Sequence, residues 1–410
     1  MLARTPAARP AATAPAVLQV VARLDPDEAG RGTLDVARTL AGAASWRAAV
    51  ATSGGPLERE LALLLGGTTA TRLPLDAAGL LADWQNARLL ARVVRGERAS
   101  LLHGRGLAAA VVTAEAARRA GLPYMLTSHE LPPEETVGRR AARLRRALRE
   151  AGLVVATSEF AAERLTAGGW AEPERVRVVP RWIDLAEFDP DRVRGHRVAA
   201  AAERCGLSVG PKVVAVPTEV AAGDGRDLLA ASLARLERQD FRLLLLGPLP
   251  AGRDAARRLT ERLGEAGLAE RVRFGTDLAD LPGALALIDV LLVPATRPRA
   301  SARLVAAAQA MGRPVIVTTA GALGEAVMPA VTGWLLPPDD PGEIAWALDL
   351  ALRMEEDVRE RVGRRAREFA AASFAAPAML ERKLALYREL LSAPRPAAPP
   401  PPDAAGDADG

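Results

Sequence analysis

Apolar residues along this chain fall into two kinds of run. Short unbroken runs rich in branched side chains, such as VLQVVARL at 17–24, predict buried strands, whereas TLDVARTLAGA at 33–43 repeats its apolar positions three and four apart and predicts a helix. The two kinds alternate. WRAAVATSGG reads as a strand ending in Gly54 and Gly55, PLERELALLL as a helix and TATRLPL as an edge-like strand. A helix over about 80–96 leads to ASLLHGRG, a strand ending at His103, and to the helix AAAVVTAEAARRAG. LPYMLTSHE is a strand ending at Ser128 and His129, LVVATS another, with a helix opened by Ser158, and RVRVVP closes the first half. After a polar connector the pattern restarts with PKVVAVP, DFRLLLLGPLP, RVRFG and DVLLVPA, each followed by a helical stretch, and then RPVIVTT and GWLLPP.

Strands alternating with helices of ten or more residues predict an α/β protein with parallel sheets covered on both faces. The restart at Lys212 favours two separate sheets over one large doubly wound sheet or a closed barrel. Two such units facing each other would form a cleft at the carboxyl ends of their strands. The predicted layout is a leader at 1–16, an N-terminal domain at 17–184, a connector at 185–210 and a C-terminal domain at 211–365. A helical segment at 366–391 would pack back toward the N-terminal domain, ahead of a Pro-rich tail at 392–410. Leader and tail both read as disordered.

Composition narrows the classes. With 54 basic and 50 acidic residues the net charge is only +4, and aromatics are 3%, so a nucleic-acid partner is not expected. A single cysteine, Cys205, excludes a disulfide framework and a cysteine zinc cluster, and fits a reducing, cytoplasmic setting. His103, His129 and His196 are far apart in sequence, so no metal site and no cofactor is expected. No run of 18 apolar residues free of charge suggests a spanning helix. The stretch GRRAARLRRALRE at 138–150 sets six arginines around Leu144, Ala147, Leu148 and Ala151. It reads as a domain-surface helix with a solvated basic face, with peripheral contact at the inner face of a membrane through 138–151 as the second reading.

Several pieces, in order, carry a resemblance: GRGTLDVARTLA, LPYMLTSHE, VVATSEFAAERL, RVRVVPRWIDLAEFDP, LLLLG, AAAQAMGRPVIVTTAGALGE and TGWLLPPDDP. Together they make the chain, over roughly 17–391, similar to the retaining glycosyltransferases of family 4, with the GT-B fold of two Rossmann-like domains facing across a cleft. The resemblance implies transfer of a hexose from a nucleotide-sugar donor to a lipid-linked or polysaccharide acceptor in envelope glycan synthesis, without a metal.

The same resemblance marks substitutions at the donor site. The family has one glutamate beside the donor sugar and, after a gap of seven residues, a second that grips the ribose; these positions hold Arg299 and Ala307. Sugar and ribose hydroxyls need acceptors, which a carboxylate supplies, whereas arginine is donor-only and alanine offers nothing. A family glycine beside the pyrophosphate corresponds to Ala302. In VPTEVAAGDGRD the arginine and lysine that neutralise the diphosphate become Glu219 and Asp224, while Gly225 remains and Arg226 stands next to it. Arg226 and Arg299 are the candidates to compensate. In the first loop, Asp27 and Glu28 replace two glycines and Gly30 replaces an acid, and Trp182 stands for a glycine near the expected cleft. Surviving landmarks are His129 near the acceptor, Glu325 by the donor, Gly321 (its partner glycine is now Ala322) and Ser158. Each has a plain alternative: a polar strand end for His129, a helix-dipole acid for Glu325 and an N-cap for Ser158. Two hypotheses therefore stand: a transferase with a degraded donor site, for which His129 and Glu325 are the catalytic candidates, and an inactive relative that binds glycan or partners an active transferase.

Overall fold

The computed structural model describes residues 13–66, 70–77, 79–132, 138–208, 210–237, 240–248, 253–275 and 280–393. Most of the expected leader and tail lies outside the described residues. The chain divides into two units, one made of the residues up to Pro180 together with those from Leu380 onward, the other of Arg181–Met379.

The first unit alternates strand and helix in chain order: β1 (Ala16–Val21), α1 (Glu28–Gly42), β2 (Arg47–Thr52), α2 (Glu58–Leu64), β3 (Thr71–Arg72), α3 (Leu80–Gly96) and β4 (Leu101–Arg105). It continues with α4 (Leu107–Ala120), β5 (Tyr124–Ser128), α5 (Arg139–Glu150), β6 (Leu153–Ala156), α6 (Glu159–Ala167) and β7 (Val176–Val178). All seven strands are parallel, in the order β3-β2-β1-β4-β5-β6-β7. Every residue of β1, β4, β5 and β6 is buried. Helices on both faces explain why these strands read as continuous apolar runs instead of alternating ones.

The second unit holds α7 (His196–Cys205), β8 (Lys212–Pro217), α8 (Thr218–Ala221), α9 (Arg226–Leu233), β9 (Phe241–Leu246), α10 (Arg253–Glu265) and β10 (Val272–Gly275). Then come α11 (Leu281–Ala286), β11 (Val290–Val293), α12 (Arg303–Ala310), β12 (Val315–Thr318), β13 (Gly333–Leu336), α13 (Pro341–Arg353) and α14 (Glu356–Phe374). Its six parallel strands run β10-β9-β8-β11-β12-β13. Successive side chains point to opposite faces, and the two cores show it: Val213, Ala215, Leu244 and Leu291 lie in one, Val214, Val216, Leu243 and Leu292 in the other. Phe188, Val193 and Cys205, from the stretch read as a connector, are part of the first of these cores.

A last helix, α15 (Ala376–Ser392), begins in the second unit, and its residues from Leu380 belong to the first. Tyr387, fully buried, hydrogen-bonds Nδ1 of His103 at 2.7 Å, and Lys383 reaches the Thr127 hydroxyl at 3.3 Å. Thus α15 is built into the first unit's own interior.

Candidate functional site

In each sheet the chain first moves outward from a central strand and then returns to its other side. The reversal falls between β1 and β4 in the first unit and between β8 and β11 in the second. Beyond the carboxyl ends of two such strands the loops diverge, leaving the crevice in which ligands of open α/β sheets bind.

In the second unit this crevice is spanned by a carboxylate. Asp224, in the loop after β8, accepts hydrogen bonds from the main-chain N–H groups of Thr296 (2.8 Å) and Arg297 (2.7 Å), both in the loop after β11. Its other oxygen is ion-paired with the Arg299 guanidinium. The Thr296 hydroxyl also donates to the Asp224 main-chain carbonyl at 2.9 Å. Gly225 shows how tightly the loops meet, since a Cβ there would stand 2.4 Å from the Pro294 carbonyl oxygen. Arg299 is held in turn by the loop after β12. Its N–H donates to Ala320 O at 3.2 Å, and its carbonyl accepts from Ala322 N–H at 2.9 Å, around Gly321 at φ +68°.

The structure therefore brings together Asp224, Gly225, Arg299, Gly321 and Ala322, and it pairs two of the positions singled out in the sequence, Asp224 and Arg299. Arg226, the other cation of this corner, faces Asp227 at 3.3 Å, and that carboxylate also receives Arg262 at 3.2 Å. The hydrogen bond from Arg226, ahead of the charges of both arginines, holds the Asp227 carboxyl below its ordinary range. Glu219 is exposed on α8. Ala302 occupies the N-cap of α12 with no side chain to cap it, and Ala307 is completely buried within the apolar core. Glu325 is exposed in a five-residue 3-10 turn, Ala322–Ala326. Trp182 is buried, its ring 4.7 Å from the Arg181 guanidinium.

In the first unit, Asp27 caps α1 by accepting from the Gly30 N–H at 2.7 Å, with Glu28 in the first turn. An acid there suits the helix dipole, so the departure from glycine is explained locally. Gly30 is required by close approach, because its Cβ would fall 2.0 Å from the Asp25 carbonyl oxygen. His129, 9% exposed, follows the end of β5. Ser158 caps α6 by accepting from Ala161 N–H at 3.0 Å. His129 and Glu325 lie in different units.

Sequence reasoning missed the buried cluster behind His129. His103 places its ring between Tyr387 (2.7 Å) and the Thr127 hydroxyl (2.8 Å). Burial first, and then the charges of Arg105, Lys383 and His129, hold the imidazole well below its usual pKa, so it is neutral. The available signal was His103 and Arg105 alternating within the buried strand LLHGR. Its partner on α15 is 284 positions away.

Helix α5 does not present its apolar stripe. Ala147, Leu148 and Ala151 are buried, and Ala147 O accepts from the Tyr124 hydroxyl at 2.8 Å. Arg143, Arg146 and Arg149 pair with Asp83, Glu150 and Glu172 at 3.0, 2.7 and 2.6 Å, and Arg145 lies over the Trp170 ring at 4.5 Å. Among the described residues there is no cluster of three potential metal ligands, and no helix is long and apolar enough to cross a membrane.

Comparison with known proteins agrees with this architecture. The solved structures it resembles include a glycosyltransferase from Rickettsia africae (TM-score 0.81, 20% identity, covering 93% of this chain and 100% of that one). Another is Anabaena HepE in complex with UDP-glucose (TM-score 0.79, 19% identity, 92% and 100%). Two parallel-sheet, Rossmann-like units of this kind define a GT-B glycosyltransferase fold. Residues 29–187 match the model for glycosyltransferase family 4, and 211–353 that for glycosyl transferases group 1. The chain belongs to the family-4 glycosyltransferases. Among curated relatives, the D-inositol 3-phosphate glycosyltransferases of Mycobacterium bovis and Mycobacterium tuberculosis are 31% identical over 267 residues, 63% of this chain and 52% of theirs. The chain thus spans about half the length of those relatives.

Proposed function

We propose that this chain keeps the family's two-unit shell but has closed its donor crevice with its own side chains, and that it serves as a glycan-binding protein or as a scaffold partner of an active transferase. One observation carries this reading. The main-chain N–H groups of Thr296 and Arg297 and the guanidinium of Arg299 form a ready anion receptor at the β8–β11 reversal, and Asp224 occupies it. A sugar diphosphate entering there would have to displace a carboxylate that is tethered and already fully matched. It would also meet the negative charge of Asp224 and of Glu219 where relatives supply cations. Charge-assisted hydrogen bonds are the strong ones, so an internal ligand of this type is a firm competitor.

The second reading is transfer of a hexose from a nucleotide sugar to a lipid-linked or polysaccharide acceptor. It is favoured by His129 at the end of β5 and by the likeness to HepE, which was solved with UDP-glucose. Under it, His129→Ala cuts turnover. Calorimetry with uridine, guanosine and adenosine diphosphate sugars separates the two. We expect no binding at concentrations up to about 1 mM, weaker than the micromolar end of ordinary enzyme–substrate affinity. Micromolar binding of any of them would overturn the closed-crevice reading.

A further inference from the structure

The second unit holds a cavity of about 630 Å³ at the edge of its sheet opposite the crevice. Val213 stands at the start of β8, Leu287 just before β11 and Arg313 just before β12, so the cavity meets the amino ends of these strands. Asp224 and Arg299 follow the carboxyl ends of β8 and β11. Helices α7 and α11 flank the cavity through Val198 and Ala286. They are fastened to each other: Arg197 of α7 ion-pairs with Asp280 at 2.6 Å, and Asp280 caps α11 by accepting from the Gly283 N–H at 2.9 Å. A space of this size is in the range that holds a small organic ligand.

Its wall is aliphatic. Val193, Val198, Leu207, Val213 and Leu287 line it, and among the described residues no carboxylate and no aromatic ring does. Its two charged groups are both arginines. Arg194 is exposed and ion-paired with Asp191. Arg313 is largely buried. Its Nη2 donates to Ala286 O at 2.7 Å, its Nε is buried with no hydrogen-bond partner, and among the described residues no carboxylate is ion-paired with it. The neighbouring Asp289 is engaged elsewhere, by Lys212 at 3.1 Å, by the Val213 N–H at 2.8 Å and by Arg359. Burial pulls the Arg313 guanidinium below its ordinary pKa, against the charge of Asp289. Arginine nonetheless keeps its proton, and a buried charge is costly unless it is paired. A cation of this kind on the wall of an aliphatic cavity defines the complement it accepts: an anionic head on an aliphatic body.

We propose that this cavity binds a small aliphatic carboxylate, its head paired with Arg313 and its chain laid along the valines and leucines between α7 and α11. An occupant touches both helices and therefore stabilises the second unit. The site is independent of whether the donor crevice is open, because none of its residues belongs to that crevice.

The test is calorimetric titration of the full chain at neutral pH with three probes: octanoate, octanamide (the same chain on a neutral head) and acetate (the same head without the chain). Octanoate should bind at one site per chain with a Kd on the order of 0.1–1 mM, ordinary for a ligand of about ten non-hydrogen atoms. Octanamide and acetate should each bind at least about ten-fold more weakly, because one lacks the charge-assisted contact and the other the buried chain. Arg313→Met keeps the length of the side chain and removes its charge, so octanoate should fall to the level of octanamide. Ala202→Phe fills the cavity from α7 without removing the cation and should also weaken octanoate at least about ten-fold. Melting curves of both variants are measured alongside, and octanoate should raise the wild-type melting temperature. The comparison of the three probes on wild type decides the matter even where a variant fails to fold. No octanoate binding up to about 5 mM, equal binding of octanoate and octanamide, or wild-type octanoate affinity in folded Arg313→Met would each overturn the proposal.

Discussion

At the residue scale, Asp224 and Arg299 are unequal partners, and the difference can be measured. Asp224 satisfies two main-chain N–H groups and one guanidinium, so Asp224→Ala removes three charge-assisted contacts from a largely buried corner. We expect it to cost about 2–4 kcal/mol in denaturant unfolding. Arg299→Ala leaves the carboxylate its two main-chain donors and should cost only about 1 kcal/mol. The exchanged pair Asp224→Lys with Arg299→Glu restores opposite charges but gives Thr296 and Arg297 a donor where they need an acceptor. It should recover part of the loss seen in Asp224→Lys and remain below wild type. Full additivity of the two single changes would show that the side chains are not coupled. Gly30 offers a separate check: Gly30→Asp pushes a Cβ against Asp25 O and should destabilise α1 by about 1–3 kcal/mol.

These site residues were only half legible in the sequence. The motif AQAMGRPVI sets the register, so the identities at 299 and 307 could be read off directly. The partner of Arg299 could not, because Asp224 lies 75 positions away and meets it only through the β8–β11 adjacency. The sequence offers Arg226 and Arg299 as cations to compensate at the diphosphate, yet in the structure each faces an aspartate.

At the scale of elements, alternating patterns located the strands and helices well because parallel strands buried on both faces leave few ambiguous positions. What the pattern could not show is which apolar stripe faces inward. The apolar stripe of α5 reads as a surface feature, yet Ala147 and Leu148 are buried and Leu144 is half-buried, whereas α3 reads as an ordinary helix and carries exposed Leu81 and Trp84. Likewise, nothing local to residues 376–392 announces which side chain of α15 enters the first unit's interior, or that Tyr387 meets His103 there. Tyr387→Phe leaves His103 Nδ1 without that partner in a buried site and should cost about 1–3 kcal/mol. The pH dependence follows from the same cluster. The folded-state pKa of His103 is depressed, so below the unfolded value near 6.5 the unfolded chain binds the proton and the folded chain does not. This group's share of stability is complete above that pH and falls by up to about 1.4 kcal/mol per pH unit as the solution is acidified toward the folded pKa. Unfolding curves between pH 7 and 5 for wild type and His103→Gln should show a shallower loss in the variant. Parallel curves would remove His103 from that role.

At the scale of the molecule, the proposed function separates family membership from chemical competence. The family is carried by two sheets, their strand order and the apolar anchors around them, all intact here. Competence depends on a few polar side chains at one crevice, and there Asp224 accepts from Thr296 N–H, Arg297 N–H and the Arg299 guanidinium. If Asp224 acts as that internal ligand, removing it should open the receptor formed by Thr296 N–H, Arg297 N–H and Arg299. The deciding measurement is a calorimetric titration of wild type and Asp224→Ala with uridine, guanosine and adenosine diphosphates under identical conditions. Wild type should show no heat of binding, and the variant should bind at least one of them, still folded by its melting curve. Micromolar binding by wild type that Asp224→Ala weakens would show that the carboxylate serves a ligand instead of replacing one.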